Sequence, residues 1–170
     1  MDHGFPKAEH LCLQRDIDAL FATAAHSAVA FPVRAVWREV EWAGHGPRVK
    51  VLVSVSKRKF KHAVDRNRAK RQMREAYRLN KHLLAAVHDV PAPPCALHIG
   101  FIWVSDEPQK SSLVHKRIAN LLRRINDALL KTAVQHSDGQ SVLPNTESQH
   151  HENNSAASAP ADDTAANNNP

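Results

Sequence analysis

Eleven lysines and arginines lie between residues 57 and 81, in the stretch KRKFKHAVDRNRAKRQMREAYRLNK, against two acids, Asp65 and Glu75. Crowded like charge raises the free energy of a folded chain. Such density implies either a solvated face or a polyanion seated on it. Spacing helps to separate the two. On a helix, Lys70, Arg74, Arg78 and Lys81 line one ridge, and Asn67, Arg71, Arg74 and Arg78 line its neighbour. Ala69, Met73, Ala76 and Tyr77 make an apolar stripe, so one side of the helix enters a core while a broad cationic side looks outward. Guanidinium groups pair bidentately with phosphate oxygens, which suits an arginine-rich face to nucleic acid. Asn67 both donates and accepts hydrogen bonds, which a purely electrostatic face does not need.

Other chemistries find weaker support. Asp65 and Glu75 have the groups of a general base or a Mg²⁺ ligand, but each fits a structural role. Asp65 falls near a helix N-terminus, where negative charge is favourable. Glu75 is spaced to pair with Arg71 one turn earlier. Twelve histidines occur without HExxH or paired Cys/His spacing, so no zinc site is read; His150 and His151 offer at most a weak adventitious site. The two cysteines, Cys12 and Cys95, make neither a disulfide framework nor a CxxC pair. No Ser/His/Asp constellation is recognisable in the sequence.

Six elements must position the basic face. KAEHLCLQRDIDALFATAA places Leu13, Ile17, Leu20, Phe21 and Ala24 at helical spacing, with Asp16 or Asp18 helping to start the helix. FPVRAVWREVEWA alternates as a strand, with a slip after Trp37 that a bulge would explain. GHGP is a turn, and RVKVLVSVS puts Val49, Val51, Val53 and Val55 on one face. These two strands are expected to pair as a hairpin. The basic helix is expected from about His62 to Val87, ended by PAPP at 91–94. CALHIGFIWVS reads as a buried central strand. In the last helix Leu113, Ile118, Leu121, Leu122, Ile125 and Leu129 point inward and Arg123, Arg124 and Lys131 outward. Helix, strand, strand, helix, strand, helix predicts an α+β fold, a single sheet packed largely on one face by helices.

The chain carries a net charge of +6, but its 23 basic residues all fall at or before Lys131. Five acids and no Lys or Arg lie beyond Gln135. The domain is expected to span residues 1–134. The polar tail, 135–170, has too little to bury to offset its conformational entropy and is expected to be disordered. The N-terminal stretch lacks the apolar core of a signal peptide, and no apolar run of membrane-spanning length occurs. A reducing, cytoplasmic setting is the expectation.

The order Ser54, Ser56, Lys57, Ala63, Val64, Arg66, Asn67, Arg68, Lys70, Arg71, Arg74, Glu75 resembles the signature of the bacterial ribonuclease P protein subunit. There, a strand ending S-x-S-K precedes AVxRNRxKRxxRE on a helix. The likeness covers roughly residues 9–133. It implies a ribosomal-protein-like two-layer sandwich whose basic helix makes a left-handed crossover between parallel strands, against the usual hand. It implies two partners, the catalytic RNA and precursor tRNA, and neither DNA nor a membrane. It also implies Mg²⁺ held mainly by the RNA and substrate, with cleavage of the 5′ leader carried by the RNA, so that no side chain of the protein is catalytic. By this likeness Lys57, Arg58, Lys61, Arg66, Asn67, Arg68, Lys70, Arg71, Arg74 and Arg78 bind RNA. Either Arg66 or Arg68 is equally suited to anchoring the helix start to the sheet. A cleft between the basic helix and the sheet would contact the single-stranded leader, where stacking on aromatic rings is expected. Phe21 matches an aromatic position of that cleft, and Ile17 stands where a second aromatic is common. Phe31, Trp37 or Trp42 are further candidates. The loop KRKFKHAV departs from the family's shorter, glycine-containing form, leaving open which of Lys59 and Lys61 touches RNA. A structural RNA-binding protein of ribosomal type is the alternative that shares this charge and fold.

Overall fold

The structure is a computed structural model, which describes residues 4–22, 26–89 and 95–137. The chain divides into a unit of residues 1–140 and a second of 141–170, and all of the second lies outside the described residues. The expected tail disorder therefore falls outside them too.

Four strands, β1 (His26–Ala30), β2 (Val33–Glu41), β3 (Val49–Ser54) and β4 (Cys95–Trp103), form one sheet in the order β1-β2-β4-β3. Four helices accompany them: α1 (Gln14–Ala22), α2 (Ala63–Asn80), α3 (Ala85–Asp89) and α4 (Ser111–Ser137). The expected α+β class and single sheet are present, and β4 is central as its apolar composition requires. From Ala96 to Phe101 every residue of β4 is buried, so both of its faces must be covered.

The expected hairpin is corrected. The strands at 33–41 and 49–54 do not pair with each other; β4 lies between them, antiparallel to β2 and parallel to β3. A strand buried on both faces gains most from the middle of the sheet, and that gain outweighs pairing between chain neighbours. The connection crosses the end of β4, where Leu97 N–H donates to the Arg48 carbonyl at 2.7 Å. Gly44 and Gly46 take φ of +82° and +78° there, a left-handed backbone that favours glycine. On its other edge β2 pairs with β1, which is reached through a tight turn at Phe31–Pro32 and whose short HSAVA sequence carries little alternation. The slip in β2 is no bulge either, since its register with β4 is unbroken from Val33↔Trp103 to Glu41↔Cys95. Val36 is apolar because the second face of the sheet is also covered at that point, and Val40 and Trp42, past the slip, stay on that same face and line a cleft there.

That second cover is α1. Ala35, Trp37, Val51, Ile99, Phe101 and Trp103 face α2 and α4 in the main core. Val36, Leu52 and Ile102, at the alternate positions, meet Leu11, Ile17 and Leu20 instead. The expected first helix begins only at Gln14. Before it, Lys7–Glu9 makes one 3-10 turn, and Leu11 N–H donates to the Val51 carbonyl at 3.0 Å, covering the outer edge of β3. The basic helix is shorter than expected as well. Asn80 turns its amide back onto the Ala76 carbonyl at 2.8 Å, a local bond that competes with continued helix, and the chain breaks into a 3-10 turn, Lys81–Leu83, and then α3. The break drives Leu84, Ala86 and Val87 into the core against α4, where Ala86 N–H donates to Asn126 Oδ1 at 2.8 Å.

Candidate nucleic-acid interface

α2 has the two-sided character its spacing predicts. Ala69, Met73, Ala76 and Tyr77 are buried, and Tyr77 packs edge-on against Phe5 and beside Phe101. Asn67, Arg68, Arg71 and Arg74 are exposed, and Lys70 is half-buried. Arg68, Arg71, Asn67 and Val64 line a shallow hollow of about 380 Å³ whose far wall is Ser111, the first residue of α4. Gln72 ties the two helices there by donating to the Gln109 carbonyl at 3.0 Å and Ser111 Oγ at 2.9 Å. No salt bridge among the described residues involves Arg68, Lys70, Arg71 or Arg74.

Other members of the segment are engaged. Arg78 is held by Glu75, with Nε at 2.9 Å and Nη2 at 2.6 Å from the carboxylate; the expected Glu75–Arg71 pair is replaced by this one. Each group reinforces the charge of the other: hydrogen bonding to Arg78 holds the Glu75 carboxyl below its usual range. Lys81 leaves the outward ridge, donating to the Gly4 carbonyl at 2.8 Å and to Glu9 Oε1 at 3.0 Å. Lys59 reaches Asp106 at 2.9 Å, whereas Lys57, Arg58 and Lys61 are exposed. Arg66 folds back onto the loop before its own helix, so its anchoring is to that loop rather than to the sheet. Asp65 lies in the first turn of α2, as expected.

The second site expectation needs a correction of place. The apolar stripe of α2, Ala69, Met73, Ala76 and Tyr77, packs against the sheet in the main core. Phe21 and Ile17 belong to α1 on the opposite face. Phe21 is 49% exposed, with its ring over Gly100 of β4. A methyl group added at Gly100 would meet Leu20 Cδ2 at 3.1 Å and Phe21 Cζ at 3.7 Å, so the glycine lets α1 approach the strand. Ile17 is half-buried against Leu11 and Leu20 and presents less surface than Phe21. Trp37 is buried in the core, Phe31 is exposed at the β1–β2 turn, and Trp42 is stacked under the Arg48 guanidinium at 4.6 Å.

Under the N-terminal half of α1 the same face opens into a cleft of about 610 Å³. Arg15, Asp16, Arg38, Lys50, Trp42 and His98 are among its lining. Arg38, His98 and Lys50 stand in register across β2, β4 and β3. Burial pushes the His98 imidazole below its ordinary pKa; Lys50 and Arg38 add to the effect, and Asp16 opposes it. Arg38 and Lys50 were legible as the polar alternates of two strands. Their convergence on His98 was not, because it depends on β4 entering between them.

Among the described residues no helix is long and apolar enough to cross a membrane, and no three His, Cys, Asp or Glu are grouped to hold a metal ion. A family model described as Ribonuclease P matches residues 5–98. The ribonuclease P protein component of Porphyromonas gingivalis strain W83 is 38% identical over 136 residues, which cover 78% of this chain and 94% of that protein. A relative of the same description from Chlorobium phaeobacteroides is 38% identical over 84 residues, covering 46% of this chain and 58% of its own length. Among solved structures, the ribonuclease P protein from Thermotoga maritima superposes with a TM-score of 0.51 at 24% identity, over 68% of this chain and 96% of that one; this likeness concerns the fold.

Proposed function

The chain belongs to the ribonuclease P protein component family, and from that premise we propose that it docks on a catalytic RNA through α2 and holds the precursor tRNA leader on the open face of the sheet. The observation that carries this reading is the separation of two surfaces. Exposed Asn67, Arg68, Arg71 and Arg74 make a cationic helix face, while on the other side of the sheet Arg38 and Lys50 line a groove and Phe21 stands on the same face over Gly100. A structured RNA offers closely spaced phosphates to the first. A single strand offers unstacked bases to Phe21 and phosphates to Arg38 and Lys50. The chain thus contributes affinity and orientation to an endoribonuclease complex of tRNA processing. We assign the bond cleavage, and the Mg²⁺ it uses, to the RNA and substrate, and we route no step through side chains of this protein.

Reconstitution tests it. The chain with ribonuclease P RNA and precursor tRNA should release the 5′ leader at low Mg²⁺ better than the RNA alone. Affinity should fall steeply with salt: neutralising about six phosphates gives a log–log slope near −5. Arg68→Ala should weaken RNA binding by about tenfold, or 1.4 kcal/mol. Cleavage by RNA-free protein would overturn the reading. Selective retention of ribosomal RNA over ribonuclease P RNA would replace it with that of a structural RNA-binding protein.

A further inference from the structure

The loop that introduces α2 is tethered more heavily than a solvated basic turn requires. Lys57–His62 contains no glycine, yet it turns sharply. The Ser56 carbonyl accepts from Lys59 N–H at 3.1 Å and from Phe60 N–H at 3.4 Å, and Ser56 Oγ accepts from Arg58 N–H at 3.1 Å. Phe60 is buried, its ring centroid 6.0 Å from that of Trp103. Lys59 is drawn to Asp106. From the first turn of α2, Arg66 Nη1 donates to the Phe60 carbonyl at 2.8 Å and the Lys61 carbonyl at 2.7 Å. Both hydrogens of Nη1 are thereby used. These bonds are charge-assisted, roughly twice as strong as neutral ones, and a phosphate would have to displace them to gain that edge of the guanidinium. Lys57, Arg58 and Lys61 are exposed, and among the described residues none of their side chains has a partner.

We infer that Arg66 is a positioning residue and that the loop it braces is a preorganised phosphate clamp, with Lys57, Arg58 and Lys61 as its cations. The inference rests on the RNA-binding reading above and divides the labour within that surface. A free loop carrying three long cations would lose backbone and rotamer freedom on binding. A braced loop has lost its backbone freedom beforehand, so more of the interaction appears as affinity.

The test compares Arg66→Ala, Arg66→Lys, Phe60→Leu and Lys61→Ala in the full chain, by RNA affinity across a salt series and by amide hydrogen exchange of residues 57–62. Lys61→Ala should reduce the salt slope by about 0.7–0.9 and leave loop exchange unchanged. Arg66→Ala should speed exchange at Lys59 and Phe60 and weaken binding about tenfold while keeping the slope, the mark of lost preorganisation. Arg66→Lys keeps the charge and has donors enough for both carbonyls but a shorter reach, so it should show a weaker form of that signature. Phe60→Leu, which touches no charge, should show that signature too and serves if the arginine variants fold poorly. Arg66→Ala with wild-type affinity and unchanged loop exchange would overturn the clamp, as would a slope loss in Arg66→Ala matching that of Lys61→Ala. Wild-type binding that ignores salt would sink the RNA reading itself.

Discussion

On one face of the sheet, Ala35, Trp37, Ile99, Phe101 and Trp103 meet α2 and α4 and lose almost all contact with solvent. On the other, Arg34 and Arg38 alternate with them along β2, Lys50 projects from β3, and α1 covers only part of the surface. Neighbouring residues on β2 and β4 therefore answer to different demands. One set holds the helical layer whose outer side is the cationic face of α2. The next residue along lines a groove. Substitution at adjacent positions should separate stability from recognition, a sharper division than burial alone would suggest.

The largest effect belongs to the closed face. Phe101→Ala removes a fully buried ring that β4 presents to Tyr77 of α2 and should cost about 3–5 kcal/mol, read from the urea midpoint. At the next position back, Gly100→Ala pushes a methyl against Leu20 on the open face. Its neighbour is the end of a flexible side chain, so the cost should be nearer 1 kcal/mol, with displacement of α1 as the visible consequence. Phe21→Ala should change stability least of the three, by about 0.5 kcal/mol or less, since its ring is half in solvent. It should instead reduce discrimination for precursor over mature tRNA in the reconstituted complex. Equal stability losses at Phe101 and Phe21 would erase the contrast between the faces.

Much of the closed face was legible in the sequence. Ala69, Met73, Ala76 and Tyr77 recur at helical spacing, and Val49 and Val51 alternate, so burial of each follows from period alone. The open face was not. The alternation of β2 slips after Trp37, and a bulge was the local explanation; the register is unbroken, and Val40 and Trp42 instead share the open face with Val36 and Arg38, lining the groove beside α1. Pairing was misread for a related reason. Local turn chemistry at Gly44–Gly46 favours a hairpin, and only the two-sided burial of β4 reveals the strand that intervenes. The RNR cluster was legible as a unit but not in its division of labour. Whether an arginine faces solvent, a carboxylate or a carbonyl depends on contacts such as Arg66 with Phe60, which no spacing encodes.

The smallest effect tests the groove by pH. His98 is 7% exposed, its Nδ1 has no hydrogen-bond partner among the described residues, and burial lowers its pKa from the ordinary 6.5. Above that value the imidazole is neutral in folded and unfolded chains alike, and it imposes no penalty. As pH falls through 6.5 the unfolded chain binds a proton that the folded chain resists, so stability is lost until the depressed folded-state value is passed. The wild-type urea midpoint should therefore drop further between pH 7.5 and 5.5 than that of His98→Gln; equal drops would remove His98 from the account. An anionic strand on Arg38 and Lys50 would favour the protonated ring by offsetting the charge of its neighbours. A leader oligonucleotide should then shrink the difference between wild type and variant, while a duplex that engages only α2 should leave it unchanged. That outcome would tie the pH response to the open face and leave the closed one out of it.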